Sequence, residues 1–196
     1  MDITTYKISD NQYLKIHLDE SIDEDECQFC TWMDIDYVDD KNNVCIRFGY
    51  EEVDEFYAFL AESERIQKLL KGEMILSSKI NDLGFEYNQF TAGKQPFNKA
   101  FLEYFWFNNS YKKIRPFYTS WLYNDQEGNI VFEITPFYSW FNVTKKTHPD
   151  KISYKKWIEN YKPIIKTIIP KENIKQWIKQ AEELAEIYKL NLNYSK

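Results

Sequence analysis

Three cysteines and one of the two histidines are the first residues of this chain whose types could together bind zinc. Cys27 and Cys30 form a C-x-x-C pair, Cys45 follows further along the chain, and His17 precedes them. A zinc knuckle places its paired cysteines on a tight turn. This pair instead enters a run of alternating apolar and polar residues, in which residues three apart point to opposite faces of a strand. We therefore expect the cysteines to be small apolar core residues, and we predict neither a metal nor a cofactor.

The carboxylates of one predicted hairpin are the second group that could carry chemistry. Asp125, Glu127 and Glu133 are close in sequence, and two carboxylates that flank a groove can hydrolyse glycosides or bind the metals of a nuclease. A turn rich in Asp and Glu is more often only solvated. The two histidines have no Ser or Cys in a nucleophile motif, and the five glycines form no phosphate-binding loop. We favour a protein without catalytic activity and keep a carboxylate-dependent hydrolase as the second alternative.

The most acidic stretch is ESIDEDECQFCTWMDIDYVDD (20–40), which holds nine carboxylates and no basic residue. Its first part, 20–26, is predicted to be a loop, and its second part belongs to a predicted strand. Alternation places Asp34 and Asp36 on one face of that strand with Trp32. Carboxylates on a rigid sheet beside an aromatic ring are typical of a surface that binds a basic protein, because charge steers association and the ring anchors the interface. The predicted partner-binding residues are Trp32, Asp34, Asp36, Asp39, Asp40, Glu51, Glu52 and Glu55.

Charge is distributed unevenly along the chain. Residues 1–90 carry 8 basic and 21 acidic side chains, whereas residues 145–196 carry 12 and 6, and the net charge is −6. The acidic half would repel phosphates, so we predict no nucleic-acid partner. No apolar run approaches the roughly 20 residues that cross a bilayer, and the N-terminus has no signal-peptide pattern. We therefore predict a cytoplasmic protein with no membrane partner.

Periodicity predicts the elements that position these residues. Alternation favours three antiparallel strands over 13–19, 27–38 and 42–50. The apolar spacing becomes helical over 51–71, with acidic residues in the first turns and lysines in the last, as the helix dipole favours. Gly72 follows where a left-handed C-cap is expected.

The second half returns to a strand pattern and ends in helices. Strands over 111–123 and 130–140 are joined by the turn NDQEGN, whereas 73–107 fits short strands or a buried helix. The interpretation is a single α+β domain (1–196), a mainly antiparallel sheet with one central helix and two or three C-terminal helices. Residues 1–148 form its sheet-rich part and 149–196 its C-terminal helical part.

Aromatic residues are unusually abundant, with 35 rings in the chain, of which fifteen lie between Phe101 and Phe141. Such rings can form a platform that stacks on sugars or bases. We expect most of them to pack in the core, and we expect Tyr123, Tyr138 and Trp140 to be exposed near strand ends.

The general character of the chain resembles a known class of proteins. The stretches WLYNDQEGNIVFEITPFYSW (121–140) and YKKWIENYKPIIKTIIP (154–170), together with the acidic, aromatic-rich α+β composition, are similar to the immunity proteins of bacterial polymorphic toxin systems. The resemblance implies a cytoplasmic protein that binds a cognate toxin, often a basic nuclease, and blocks its active site. It transfers no functional residue. The first alternative is a secretion chaperone or adaptor that binds an effector through apolar grooves and forms a homodimer; the sequence leaves the partner and the oligomeric state open.

Overall fold

The structure is a computed structural model, and it describes residues 3–19, 32–96, 98–108, 116–140 and 151–187. These residues form two four-stranded antiparallel sheets and six α-helices. The predicted α+β class is therefore confirmed, although the predicted single sheet is in fact two sheets. Among the described helices, none has the length and apolar character of a membrane span.

Sheet A contains the first four strands in sequence order. Its strands are Ile3–Lys7 (β1), Gln12–Asp19 (β2), Trp32–Asp39 (β3) and Val44–Glu52 (β4). In the described residues the three predicted strands are confirmed as β2, β3 and β4, and β1 was not predicted. Residues 27–31 of the second predicted strand and the predicted loop over 20–26 lie outside the described residues. A bulge lies between β3 and β4, where Ile35 pairs with Gly49 and Asp36 pairs with Arg47. A Cβ on Gly49 would lie 3.0 Å from the Cβ of Ile35, so glycine permits this close approach.

Sheet B contains the last four strands, again in sequence order. Its strands are Phe105–Asn108 (β5), Phe117–Asn124 (β6), Ile130–Phe137 (β7) and Ile165–Ile169 (β8). The predicted β6–β7 hairpin is confirmed, and Gly128 in its turn has a φ of 81°. Strand β8 lies within the part that was predicted to be helical. Its β-branched run is bounded by Pro163 and Pro170, a pattern that favours a short strand over a helix.

The helices lie between and after the strands. They are Val53–Tyr57 (α1), Glu64–Lys71 (α2), Leu83–Thr91 (α3), Ala100–Tyr104 (α4), Tyr154–Ile158 (α5) and Lys171–Ile187 (α6). The predicted continuous helix over 51–71 is wrong, because Glu51 and Glu52 end β4 and a π-helical segment, Ala58–Glu62, separates α1 from the extended Ser63. The Ser63 hydroxyl accepts a hydrogen bond from the Arg65 amide at 3.1 Å and so begins α2 anew. Gly72 has the predicted left-handed conformation at the end of α2.

The region 73–107 contains two helices, α3 and α4, and the start of β5. Helix α3 replaces the short strand that GFEYNQF suggested, and Asp82 caps it by accepting a hydrogen bond from the Phe85 amide at 2.8 Å. The run KAFLEYFWF, which fits a helix or a strand, forms both, since α4 ends where β5 begins.

Aromatic rings fill the space between the two sheets. Phe132 of β7 lies 6.2 Å from Tyr37 and 5.6 Å from Phe48 of sheet A, measured between ring centroids. Trp106 stacks on Trp177 of α6 at 5.7 Å. One continuous cluster of buried residues includes side chains from both sheets and from α6.

Two of the three tyrosine and tryptophan side chains expected at the surface are in fact buried. Tyr123 and Tyr138 are almost fully covered, and Trp140 is half-buried. Each tyrosine hydroxyl has an internal acceptor, Glu133 for Tyr123 and the Ile152 carbonyl for Tyr138. An internal acceptor lets the phenol be buried without losing a hydrogen bond, which alternation along a strand does not reveal.

Candidate functional site

The candidate site is the face of sheet A that points away from the core. In β3, Met33, Ile35 and Tyr37 are fully buried against the rest of the protein. The alternate residues therefore belong to the opposite side, and we call this side the outer face of sheet A. It is defined by Trp32, Asp34 and Asp36 of β3 with His17 of β2 and Arg47 of β4.

Arg47 joins the two aspartates of the outer face. Its Nε donates a hydrogen bond to Asp36 Oδ1 at 3.0 Å, and its Nη1 lies 3.2 Å from Asp34 Oδ2. His17 Nε2 lies 3.1 Å from Asp36 Oδ2. The hydrogen bond that Arg47 donates to Asp36 raises the pKa of Arg47, so the guanidinium stays charged. Asp34 and Asp36 are only 8% and 7% exposed. Their contacts with Arg47, and that of Asp36 with His17, hold the two carboxylates in fixed positions.

Sequence reasoning found the aspartates of the outer face and missed the groups that bind them. The acidic run contains no basic residue, and the compensating charge comes from the next strand. Alternation in β4 places Arg47 and Cys45 opposite to the apolar Ile46 and Phe48. Pairing the strands outward from the β3–β4 turn would have placed Arg47 directly opposite Asp36, because the bulge lies beyond this pair.

The two aspartates at the end of β3 have different environments. Asp39 is buried and accepts hydrogen bonds from Gln12 Nε2 at 3.1 Å and from the backbone and side-chain nitrogens of Asn42 at 3.0 and 2.9 Å. These hydrogen bonds lower the pKa of Asp39, and the bond from Gln12 has the largest effect. Asp40 is exposed and accepts a 3.4 Å hydrogen bond from the Tyr13 hydroxyl. Asp39 thus stabilises the turn, and the Asp40 carboxylate is the one that a partner can reach.

The remaining predicted contact residues lie around the same end of the sheet. Trp32 is half-buried and pairs across the ladder with Glu52, which is half-buried too. Glu55 is exposed on α1. The side chain of Glu51 lies outside the described residues. The structure therefore brings Trp32, Glu52, Asp34 and Asp36 together on one face.

The predicted burial of the cysteines is wrong for the one that is described. Cys45 is exposed on β4 because the alternation of side chains places it on the outer face. It forms no disulfide. Cys27 and Cys30 lie outside the described residues. In the part of the chain that the structure describes, no three His, Cys, Asp or Glu side chains are grouped closely enough to hold a metal ion.

The three hairpin carboxylates do not converge on a groove. Asp125 accepts hydrogen bonds within its own turn, from the Glu127 amide at 3.1 Å and from the Asn129 amide at 2.8 Å. Glu127 is exposed. Glu133 is 3% exposed and accepts a 2.7 Å hydrogen bond from the Tyr123 hydroxyl, and burial raises its pKa. A substrate therefore has no direct access to Glu133.

Comparison of the chain with protein-family models, with curated proteins and with solved structures finds no match. Among the described side chains, the outer face of sheet A holds the largest group of predicted contact residues in one place.

Proposed function

We propose that this protein is a non-catalytic binding protein that inhibits a basic protein partner, in the manner of an immunity protein that blocks a bacterial toxin. The binding surface is the outer face of sheet A. The observation that carries the proposal is that Asp34 and Asp36, beside Trp32 in one row, are held within 3.2 Å of the same guanidinium before any partner binds.

Fixed carboxylates favour binding for an entropic reason. Ordering a flexible side chain at an interface costs about 0.5–1.5 kcal/mol. Asp34 and Asp36 are already ordered by Arg47, so most of that cost falls on folding rather than on association. An ionised carboxylate offers about four acceptor positions, so the exposed Asp40 can accept a lysine or arginine of the partner directly beside this ordered cluster.

The Trp32 side chain and the surrounding negative charge complete the binding surface. Tryptophan is among the residues that contribute most to protein interfaces when a partner covers it. Arg47 offsets part of the charge of the cluster, so long-range attraction comes mainly from the wider acidic half, in which 21 acidic residues outnumber 8 basic ones. Asp40 and Glu55 are exposed members of that half. A basic partner would be steered by this field and positioned by the cluster.

Site-specific photocrosslinking in the source cells tests the proposal even though the partner is unidentified. A photoreactive phenylalanine analogue replaces Trp32, and a matched control carries it at Leu102, which is exposed on α4. We expect position 32 to capture one basic protein that position 102 does not capture. The captured protein is then purified, and its affinity is measured by calorimetry at low and high salt. A partner that is acidic, or a salt-independent affinity, contradicts the proposal.

Variants of the surface then test which residues bind. Trp32→Ala should weaken binding of the purified partner by about 2 kcal/mol, roughly 30-fold. Neutralising Asp34, Asp36, Asp39 and Asp40 together should weaken it further, with circular dichroism as the check that the sheet persists. The control neutralises Glu64 and Glu73, which are exposed on and after α2, and should leave affinity unchanged. Full affinity after the quadruple neutralisation would exclude the outer face of sheet A as the binding surface.

A further inference from the structure

A pocket of about 600 Å³ opens on the other sheet, far along the chain from the surface described above. It lies between segment 74–76, the β6–β7 turn and strand β8. The residues that give it its chemical character are Leu76, Tyr123, Gln126, Val131, Lys166 and Ile168. Its volume is within the range of about 300–1,000 Å³ that is usual for small-molecule sites.

Hydrogen bonds hold one wall of the pocket in place. The Asn124 amide donates to the Met74 carbonyl at 2.8 Å, and the Leu76 amide donates to the Asn124 carbonyl at 2.9 Å. Gln126 Nε2 donates to the Leu76 carbonyl at 2.9 Å. Segment 74–76 is therefore fixed to the end of β6, and the pocket exists before a ligand enters.

Apolar side chains form most of the inner surface. Tyr123 and Val131 are nearly fully buried and form the floor, whereas Ile168 is 53% exposed at the rim. A ligand that covers this isoleucine stabilises the complex by about 25 cal/mol for each Å² of apolar surface removed from water. The pocket thus favours a ligand with an apolar body.

Lys166 is the charged group in the pocket that is left for a ligand. Its Nζ lies 5.8 Å from the centroid of the Tyr123 ring, and among the described residues no carboxylate lies within 4 Å of it. Asp125 also lines the pocket, but its carboxylate accepts three hydrogen bonds inside the turn, the third from Asn129 Nδ2 at 2.9 Å. Glu133, opposite Lys166 in the ladder, is buried behind Tyr123.

We propose that this pocket binds a small amphipathic carboxylate, with the anionic head on the Lys166 ammonium and the apolar body against Tyr123, Val131 and Ile168. A preformed apolar cavity with one cation at its wall selects for this combination of charge and shape. The proposal is independent of the function of sheet A, because it uses none of the same residues.

Octanoate is the probe, and octan-1-ol and octylamine are its neutral and cationic counterparts. The full chain is titrated with each, and backbone amide shifts are followed by ¹H–¹⁵N correlation spectra. We expect octanoate to shift the amides of Gln126 and Ile168, octanol to bind at least about tenfold more weakly, and octylamine to bind more weakly still. Equal or tighter binding of octylamine, or shifts confined to other surfaces, would overturn the proposal. This comparison needs no variant.

Two exposed positions then test the role of charge. Lys166→Met keeps the length of the side chain and removes its charge, and Ile168→Glu places a repelling carboxylate at the rim. Each should weaken octanoate binding about tenfold or more and leave the thermal midpoint nearly unchanged, because both side chains are exposed. The control is Lys162→Met, an exposed lysine before β8, which should bind octanoate as the wild type does. If Lys166→Met and Lys162→Met behave alike, the Lys166 ammonium does not bind the head group.

Discussion

Glu133 is an acidic side chain buried in sheet B. Burial raises its pKa, and the hydrogen bond from Tyr123 and the charge of Lys166 act in the opposite direction without cancelling that effect. A raised pKa in the folded state means that the native protein holds this proton at a pH at which the unfolded chain has lost it. Stability therefore decreases as the pH rises from the ordinary value of 4.5 to the folded pKa, and is constant above it.

Replacing Glu133 with glutamine should remove this dependence on pH. Glutamine has nearly the same shape, still accepts the Tyr123 hydrogen bond, and does not ionise. We expect the free energy of unfolding of Glu133→Gln, relative to the wild type, to increase with pH above about 4.5, by at most about 1.4 kcal/mol per pH unit, and then to become constant. Urea unfolding at several pH values between 4 and 8 measures this difference.

The exposed Glu127 of the same hairpin is the control for that measurement. Glu127→Gln makes the same Glu-to-Gln change at an exposed position, so the pH dependence of Glu133→Gln is measured relative to it. A difference for Glu133→Gln that falls with pH would mean that Glu133 is stabilised in its ionised form, against the burial described above.

At the residue scale, alternation predicts which side chains share a face but not what they contact. Trp32, Asp34 and Asp36 share a face as predicted. Arg47 is eleven residues from Asp36 in sequence, so its contact depends on the register of β3 and β4. Tyr123 was misplaced for the same reason, since the partner that allows its burial, Glu133, belongs to the other strand of the hairpin.

Gly84 tests the packing of helix α3 on sheet B. A Cβ at this position would meet Thr135 of β7 and the hydroxyl of Tyr161 at less than van der Waals distance. That hydroxyl donates a 2.7 Å hydrogen bond to Asp82, which caps α3. The helix thus lies against β7 at a distance that only glycine permits.

Gly84→Ala should therefore destabilise the protein, although alanine ordinarily stabilises a helix by about 0.5–1 kcal/mol relative to glycine. We expect a loss of about 1–3 kcal/mol in the free energy of unfolding, as for other overpacked sites. The measurement is urea unfolding, with Gln89→Ala in the same helix as a control that should change stability by less than about 0.5 kcal/mol. An increase in stability for Gly84→Ala would show that α3 does not pack closely on β7.

At the element scale, strands β2, β3 and β4 and the β6–β7 hairpin were predictable because their residues alternate and the β3–β4 and β6–β7 turns contain Asp, Asn and Gly. Helix α3 was not predictable, because its own apolar and polar residues are distributed on all sides of the helix. Its position depends on contacts with β7, such as the hydrogen bond that Asn88 donates to the Pro136 carbonyl at 3.0 Å. Strand β8 was mistaken for helix because its five residues are too short for periodicity to distinguish the two.

At the scale of the whole molecule, the division into two sheets could not be predicted. Alternation shows that a strand has one buried face, but it does not show which other sheet covers that face. The fifteen aromatic residues in the middle of the chain do indicate a large core. The placement of some of these rings between the two sheets became evident only from contacts such as that of Trp106 with Phe48, at 6.4 Å between centroids.

Phe132 tests whether the two sheets fold as one cooperative unit, as the predicted single domain requires. Its ring is fully buried and contacts Trp106 of sheet B and both Tyr37 and Phe48 of sheet A, so it packs against residues of both sheets. Phe132→Ala should cost about 3–5 kcal/mol. Because a cooperative unit opens as a whole, that loss should reduce the protection of backbone amides equally in β3 and in β6.

Hydrogen exchange with mass spectrometry of peptides from the two strands measures that protection. The control is Phe85→Ala, a partly exposed ring on α3 outside the space between the sheets, which should reduce protection by less than about 1 kcal/mol in either strand. Loss of protection in β6 with β3 unchanged would mean that the sheets unfold separately. In that case the stability of the outer face of sheet A would not depend on the aromatic rings between the two sheets. Equal loss would instead mean that the two sheets unfold as one unit, so that the strands carrying the outer face of sheet A are stabilised by packing on their opposite side.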